Sequence, residues 1–216
     1  MLSLLLDAAW MTLGLALASL VGGMALALAF SAAELSKQSW LVWPVATLTT
    51  LIRGLPELLV VLFIYFGSTQ VLFLITGEYV EFSPFACGVL ALSLLFASYA
   101  TQTLRAALNA VPAGQRLAAL ALGLGKSHIF FRIVLPQAWR HALPGLGNQW
   151  LVLLKDTALV SLIGVNEMMR QAQMASASTY EPFTWYAAAA LIYLAISLVS
   201  EFGLKQASRY TRRYGG

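Results

Sequence analysis

The sequence FSPFACGVLALSLLFASYATQTL, residues 82–104, runs for 23 residues without an Asp, Glu, Lys or Arg. A helix that crosses the hydrocarbon core of a bilayer needs about 20 predominantly apolar residues. Such a helix satisfies its own backbone N–H and C=O groups where no water is present to do so. The stretch therefore predicts a transmembrane helix.

Four further stretches have the same character. Three of them carry no charged residue, and the fourth is interrupted only by Lys155 and Asp156. The four stretches are residues 8–33, 58–77, 141–166 and 182–200. We therefore predict an all-α integral membrane protein with five transmembrane helices, formed as a single domain over residues 1–216.

The connection between the first and second spans is less clear-cut. Residues 38–52 are also uncharged, but the run is short for a span and contains Pro44. We interpret it as an amphipathic or cytosolic lead-in to the second span, and a sixth short span is the alternative.

The composition excludes several classes of protein. Hydrophobic residues make up 60% and charged residues 10% of the 216-residue chain, whereas an average soluble domain is about half apolar and a quarter charged. So few charges cannot cover a soluble surface, which excludes an ordinary cytosolic enzyme and a disordered tail. A single cysteine, Cys87, allows no intramolecular disulfide and, with the two histidines, suggests no metal site.

Lys and Arg are distributed unevenly over the five-span arrangement. One side carries eleven of the thirteen basic residues, namely Lys37, Arg53, Arg105, Arg116, Lys126, Arg132, Arg140, Lys205, Arg209, Arg212 and Arg213. The other side carries Asp7, Glu78, Glu81, Glu167 and Glu181, with Arg170 as its one basic residue. Cytoplasmic loops carry the excess of Lys and Arg. We therefore predict an N-terminus outside and a C-terminus in the cytoplasm, and we attribute the net charge of +4 to these loops rather than to nucleic-acid binding.

The longest polar connection, residues 105–140, predicts two short helices. Pro112 breaks the preceding helix and can start another over residues 113–122. Ser127 can cap a second helix over residues 128–134. The loop is thus a helix–turn–helix outside the membrane.

Glycine and proline mark the limits of these helices. Gly123 and Gly125 separate the two, and Pro136 ends the second, because the residue before a proline avoids the helical region. The loop is apolar on one face although it lies outside the bilayer, so this face requires either lipid headgroups or another protein. Composition alone favours lipid headgroups.

Six residues of the loop have a characteristic spacing. They are Ala118, Ala119, Gly123, Ile133, Leu135 and Pro136. The spacing resembles the cytoplasmic loop of ABC importer permeases, E-A-A-x(3)-G-x(9)-I-x-L-P, with Leu117 at the position of the Glu. In that family the loop forms the coupling helix that docks on the ATPase subunit, so the resemblance implies the same role for these seven residues.

Three further segments resemble the polar amino-acid branch of these permeases. They are Arg53-Gly54-Leu55-Pro56-Glu57, residues 142–148 (ALPGLGN) and residues 154–163 (LKDTALVSLI). The resemblance implies the MetI-like permease fold in a bacterial inner membrane, with a second homologous permease, ABC ATPase subunits and a periplasmic amino-acid-binding protein as partners. It also implies that the cargo is a polar, basic amino acid, with arginine ahead of histidine, lysine or ornithine.

The chain itself is predicted to catalyse no reaction and to bind no cofactor. It has no GxxxxGK[ST] phosphate loop, so it is not the ATPase; ATP and magnesium would be used by the partner. A stand-alone secondary transporter or channel is the alternative function. Such a protein would not need an apolar cytoplasmic helix and would often show internal repeats.

Two acidic residues are candidates for the substrate path. Asp156 lies near the middle of a predicted span, where ionisable groups are costly and face a cavity or a partner. Lys155, Thr157 and Ser161, close to it in the chain, are further candidates for the path. The structural alternative for Asp156 is an ion pair with Lys155 or a hydrogen bond with Thr157 or Ser161. Glu57 follows a proline at a predicted helix start, where a carboxylate is also favoured by the helix dipole alone.

Overall fold

The computed structural model describes residues 2–36, 38–78 and 82–213, and every regular element within them is helical. The α-helices are α1 (Leu2–Glu34), α2 (Ser39–Gly54), α3 (Glu57–Thr76), α4 (Pro84–Asn109), α5 (Ala113–Ala121), α6 (Lys126–Ile129), α7 (Leu135–Asp156), α8 (Met168–Thr179) and α9 (Pro182–Arg213). A π-helical turn, Phe130–Val134, joins α6 to α7, and a 3-10 helix, Thr157–Ile163, follows α7. Lys37 and Glu81 lie outside the described residues.

Helix α4 is the centre of the bundle. It packs against α1, α2, α3 and α7, and 61% of its most apolar segment is buried, against 28% for α1, 11% for α3 and 6% for α9. The buried face of α4 is rich in small residues, including Ala91, Ala97, Ala100 and Ala107. Small side chains allow helix backbones to approach closely, which is how helices associate in a bilayer.

Glycines of α1 make this close approach possible. A Cβ atom on Gly22 would lie 2.7 Å from Ser93 Oγ, and one on Gly23 would lie 2.8 Å from Phe96 Cδ1. No such contact exists at Gly14 of the same helix, where nothing lies within 4 Å of the Cβ position.

Four helices of the described chain are long and apolar enough to cross a membrane, and they are α1, α3, α4 and α9. The fifth predicted span, residues 141–166, is divided between α7 and the 3-10 helix. The all-α fold is therefore confirmed, whereas the count of five spans stays a prediction. Residues 38–52 fall within α2, which packs on α1 and α4.

Proline and the residue before it separate successive helices. Leu55 ends α2 in an extended conformation, with φ −98° and ψ 148°, because the ring of Pro56 disfavours a helical residue before it. Pro84 occupies the first turn of α4, where the missing N–H costs nothing.

The predicted end of the loop's second helix at Pro136 is wrong. The chain continues from α6 through the π-helical turn into α7, and Pro136 lies in the first turn of α7. The wider turn before the proline accommodates its ring and its missing N–H, so the helix passes through. The Ser127 cap is also wrong, because Gly125 holds the N-cap position and no side chain caps α6.

Glu167 is a fully buried carboxylate, which the sequence pattern identified only as one of the acidic residues on the outer side. It caps α8 by accepting the backbone N–H groups of Met169 (2.9 Å) and Arg170 (2.8 Å). It also accepts the hydroxyl of Tyr193 on α9 at 2.8 Å. These three bonds replace its hydration and fix α8 against the last helix.

Candidate functional site

A cavity of about 290 Å³ opens where α3, α4 and α7 meet. Its polar lining residues are Glu57, Tyr99, Gln149 and Asp156, and its apolar ones are Leu95, Phe96, Val152 and Leu153. The two acidic residues proposed from the sequence therefore lie at one cavity, although they are 99 positions apart in the chain. Apolar walls with a few convergent polar groups are typical of small-molecule sites.

Glu57 is positioned by the break between α2 and α3. Pro56 is the N-cap of α3 and Glu57 is its first residue, so the carboxylate lies at the positive end of the helix dipole. Its Oε1 accepts the hydroxyl of Tyr99 on α4 at 3.5 Å. With this contact, the carboxylate of Glu57 forms part of the cavity wall.

Asp156 is the last residue of α7, at the point where the α-helix tightens into the 3-10 helix. It is partly buried, whereas its neighbour Lys155 is exposed. Among the ion pairs of the described residues, none joins Asp156 to Lys155. The carboxylate of Asp156 thus lines the cavity, and no Lys or Arg of the described residues forms an ion pair with it.

Gln149 adds an acceptor that the sequence did not single out. Its Nε2 donates to Thr103 Oγ1 at 2.8 Å, which orients the amide. Its Oε1 is buried and has no hydrogen-bond partner within the described part of the chain. A buried acceptor without a partner is costly unless a ligand or a water molecule donates a hydrogen bond to it.

The structure does not bring the other three path candidates to the cavity. Thr157 and Ser161 are buried and donate to backbone carbonyl groups of their own segment, those of Leu154 and Ala158, both at 2.7 Å. Lys155 is exposed on another face of α7. No group of three or more His, Cys, Asp or Glu side chains able to hold a metal ion occurs among the described residues.

A Schellman turn ends α5 in the loop. Gly123 has φ +76°, its N–H donates to Leu120 O at 2.9 Å, and the N–H of Leu124 donates to Ala119 O at 3.2 Å. These two bonds satisfy the last carbonyl groups of the helix, and the left-handed residue between them is favoured as glycine. The break predicted at Gly123 is therefore present, and its cause is the left-handed backbone conformation of this glycine.

The loop has a small hydrophobic core of its own. Ala119 is buried there with Val111, Ile129, Val134 and Ala138, and Ile133 packs against them. Gln137 Nε2 on α7 donates to Gln115 Oε1 on α5 at 2.6 Å. The loop is thus packed onto the start of α7.

Other motif residues point outward from this core. Leu117 is 65% exposed, and Ala118, Gly123, Leu135 and Pro136 are also exposed. Of the seven motif residues, Ala119 and Ile133 thus support the loop, while the others form its surface.

The loop and the cavity share one helical path. It runs through α6, the π-helical turn and α7, from Lys126 to Asp156. At 1.5 Å per residue this path is about 45 Å long. The loop is therefore continuous in the chain with the helix that carries Gln149 and Asp156.

An ion pair between the ends of α1 and α4 was missed from the sequence. Arg105 on α4 pairs with Glu34 at the end of α1, and Thr49 on α2 donates to Glu34 Oε1 at 3.2 Å. Arg105 had been interpreted only as a topological charge. The signal available was Glu34 itself, which closes the first uncharged run.

An apolar helical bundle, a carboxylate-lined cavity within it and a rigid amphipathic loop joined to that cavity by one helix define a membrane transport permease. Residues 25–213 match the family described as "Binding-protein-dependent transport system inner membrane component". The chain belongs to this family, which confirms the resemblance in the loop motif.

Similar proteins agree with this assignment. The chain is 56% identical over 212 residues to the "Arginine ABC transporter permease protein ArtQ" of Haemophilus influenzae, covering 98% of this chain and 95% of that protein. A solved structure titled "Crystal structure of an amino acid ABC transporter with histidines" is 30% identical, with a TM-score of 0.87 over 96% of this chain and 94% of that one. The fold is shared with an inward-facing MetNI methionine ABC transporter at 18% identity, with a TM-score of 0.75 and 96% of both chains covered.

Proposed function

We propose that this chain is a permease subunit of an ATP-driven importer whose cargo is a basic amino acid, with arginine first. Its relative at 56% identity is named as an arginine ABC transporter permease. The observation that carries the choice of cargo is the pairing of Glu57 and Asp156 at one cavity. Two carboxylates and the acceptor Gln149 Oε1 suit a guanidinium group, which has five N–H donors and no acceptor.

The walls of the cavity fit the rest of such a molecule. Leu95, Phe96, Val152 and Leu153 line the cavity and would pack against the aliphatic stem of arginine, whereas the carboxylates would bind its head. A neutral amino acid would leave both carboxylates without a partner in a poorly hydrated site, which is costly.

The subunit would work with partners. A second permease would complete the pathway, two ABC ATPase subunits would bind and hydrolyse ATP with magnesium, and a periplasmic binding protein would deliver the amino acid. The loop of residues 105–140 would dock on an ATPase subunit and act as a lever. The helix from Lys126 to Asp156 would carry its motion to the cavity.

Neutralising the cavity tests this proposal. We expect Asp156→Asn and Glu57→Gln to raise the KM for arginine about tenfold or more, because a hydrogen bond to a charged group contributes about 1.5–3 kcal/mol. The measurement is uptake of radiolabelled arginine by the complete transporter in proteoliposomes, with lysine, histidine and glutamine as competitors. Glu78→Gln, outside the cavity, is the matched control.

Two results would oppose the proposal. Uptake with unchanged KM and unchanged kcat in both variants would remove the cavity from the path. Equal competition by glutamine and lysine would remove the preference for a cation. Size-exclusion chromatography of each variant complex separates a transport defect from a loss of assembly.

A further inference from the structure

A cavity of about 310 Å³ lies between α7 and the C-terminal part of α9, and it shares no residue with the carboxylate-lined cavity. We name it the α7–α9 pocket. Its polar lining residues are Asn148, Glu201, Lys205, Ser208 and Arg209. Leu151 and Leu204 belong to its apolar lining. Apolar walls with a few polar groups are typical of a site for a small molecule.

The α7–α9 pocket has an excess of positive charge. Lys205 Nζ pairs with Glu201 Oε1 at 2.6 Å, which leaves Arg209 without an ion pair among the described residues. Residues 82–155 and 202–216 contain neither Asp nor Glu, so neither α7 before Asp156 nor the chain beyond Glu201 supplies another carboxylate. Since Glu201 already has a cation, the charge balance of the pocket favours an anionic ligand.

The α7–α9 pocket lies at the depth of lipid headgroups. The segment of α9 that is long and apolar enough to cross a membrane runs for 28 residues, Pro182–Arg209, which is about 42 Å at 1.5 Å per residue. A bilayer with both headgroup layers is about 40–45 Å thick. Lys205 and Arg209, at the end of this segment, therefore lie at headgroup level, on the side that we predict to be cytoplasmic.

An exposed apolar stripe along α9 leads to these two basic residues. Its members follow one another at spacings of three or four residues, as residues on one helix face do. They are Leu191, Leu194, Leu198 and Phe202, with exposed fractions of 66%, 53%, 55% and 67%. The same spacing continues to Lys205 and Arg209.

The dimensions of the stripe match one leaflet of a bilayer. From Leu194 to Arg209 the helix rises about 22 Å, and half a bilayer with its headgroups is about 20–22 Å thick. The surface is thus apolar along the depth of the acyl chains and basic at the depth of the phosphates. An anionic phospholipid has the complementary arrangement.

Two protein partners fit this surface less well than a lipid does. An ATPase subunit lies outside the bilayer and does not reach Leu194 or Leu198. A second permease in the same orientation would bring its own basic cytoplasmic residues to the level of Lys205 and Arg209, and like charges repel. A lipid phosphate neutralises these charges while its acyl chains cover the stripe.

We propose that the α7–α9 pocket binds an anionic phospholipid of the cytoplasmic leaflet, with its phosphate on Lys205 and Arg209 and its acyl chains along the stripe from Leu194 to Phe202. The amide of Asn148 on α7 lines the same pocket and is a further donor for the phosphate. The site is separate from the cargo cavity, so it does not depend on which amino acid is transported.

Charge neutralisation tests this inference in the complete transporter. The variants are Lys205→Gln, Arg209→Gln and the double change, and Arg209→Lys keeps the charge. Arg132→Gln is the matched control, because Arg132 is an exposed basic residue of the loop that does not line the pocket. The pair of Lys205 with Glu201 is exposed, by 64% and 42%, so its loss is not expected to unfold the protein.

The measurement is the apparent Kd of phosphatidylglycerol, determined by native mass spectrometry of the delipidated transporter in detergent. Phosphatidylethanolamine and phosphatidylcholine with the same acyl chains are the comparison lipids. We expect phosphatidylglycerol to bind about fivefold or more tightly than either, and each Gln variant at the pocket to weaken it about fivefold. Arg209→Lys and Arg132→Gln are expected to stay within about twofold. Equal affinities for the three lipids, or an unchanged Kd in the double variant, would overturn the inference, as would an equal loss in Arg132→Gln.

Two further measurements identify the occupant. Glycerol 3-phosphate has the phosphate without the acyl chains, so we expect it not to displace phosphatidylglycerol at equal concentration; displacement would mean a phosphate site that does not need the stripe, and would overturn the inference. When p-benzoylphenylalanine replaces Phe202 in cells, illumination is expected to attach a phospholipid to the permease, detected as a mass increase. A cross-link to the second permease or to the ATPase instead would show that a protein covers the stripe, which would also overturn the inference.

Discussion

Gly23 determines how closely α1 approaches the central helix α4. A Cβ there would lie 2.8 Å from Phe96 Cδ1 and 3.0 Å from the backbone oxygen of Ser93, and a backbone atom cannot move aside. We expect Gly23→Leu to destabilise the folded protein by about 1–3 kcal/mol through overpacking. The measurement is the midpoint of unfolding in a denaturing-detergent titration.

Gly14→Leu is the matched control for this prediction. Gly14 lies on the same helix and has open space at its Cβ position, so the same side chain is expected to shift the midpoint far less. Equal shifts in the two variants would contradict the packing argument and point to a general effect of leucine on α1.

The pair of Glu34 and Arg105 predicts an asymmetric response to mutation. The side chain of Glu34 is 4% exposed and that of Arg105 is 40% exposed. Arg105→Met would leave a buried carboxylate without its cation, whereas Glu34→Gln would leave a guanidinium that can reach water. Breaking a buried pair costs about 3–5 kcal/mol when the charge that remains is buried.

We therefore expect Arg105→Met to lower the melting temperature of the purified protein more than Glu34→Gln does. Glu201→Gln is the control, because the exposed pair of Glu201 with Lys205 contributes only about 0.3–0.5 kcal/mol. A larger fall in melting temperature in Glu34→Gln than in Arg105→Met would contradict this prediction, because it would mean that Arg105 is the partner that depends more on the pair.

At the scale of the element, sequence patterns located helices well where one local rule applied. The helix predicted over residues 113–122 is α5, Ala113–Ala121, and the last helix begins at Pro182, where the predicted span of residues 182–200 begins. At Pro136 two rules competed: proline disfavours a helix before it, but packing of Val134 and Ala138 in the loop core favours a continuous one. The π-helical turn resolves that competition, and a local rule does not predict it.

The residues of the candidate site were likewise predictable from the sequence only in part. Glu57 and Asp156 could be proposed because a carboxylate in an apolar stretch is conspicuous. Tyr99 and Gln149 could not, since uncharged polar residues are common in spans and only the packing of α3, α4 and α7 shows which of them meet. Spacing along one helix likewise did not distinguish Asp156 from the buried Thr157.

In the turn between α5 and α6, a substitution can strain the backbone without causing a steric clash. Gly123 has φ +76° and nothing within 4 Å of its Cβ position. Gly123→Val therefore causes no clash, but a valine in this left-handed backbone conformation costs about 1–2 kcal/mol. We expect this variant to insert normally but to lose most of the stimulation of ATP hydrolysis by loaded binding protein in proteoliposomes.

Gly125→Ala controls for the loss of a glycine in the same turn. Gly125 has φ −67° and open space around it, so alanine is expected to be tolerated there. Normal stimulation in Gly123→Val would show that the conformation of this turn does not matter for coupling.

At the scale of the whole molecule, the burial of the long helices indicates which of them face outward. Only 6% of the apolar segment of α9 and 11% of that of α3 are buried within this chain, against 61% for α4. A water-facing surface of this kind would be unstable. The periphery of the bundle is therefore available to lipid and to a second permease, and the cavity lies where α3 and α7 meet the central helix α4.

The topology of the chain depends on whether α2 crosses the membrane. Five spans, with α7 and the 3-10 helix as the fourth, put the two termini on opposite sides. A sixth span formed by α2 would put them on the same side. The excess of Lys and Arg in residues 105–140 and after Glu201 predicts a cytoplasmic C-terminus, because basic loops stay inside. We therefore expect a C-terminal alkaline phosphatase fusion after Arg213 to be inactive and a green fluorescent protein fusion there to be fluorescent.

Alkaline phosphatase inserted after Glu78 is expected to be active, and a cysteine placed before Asp7 is expected to react with a membrane-impermeant maleimide in intact spheroplasts. Labelling of that cysteine only after lysis would place both termini inside and make α2 a span, and an active phosphatase after Arg213 would overturn the orientation itself.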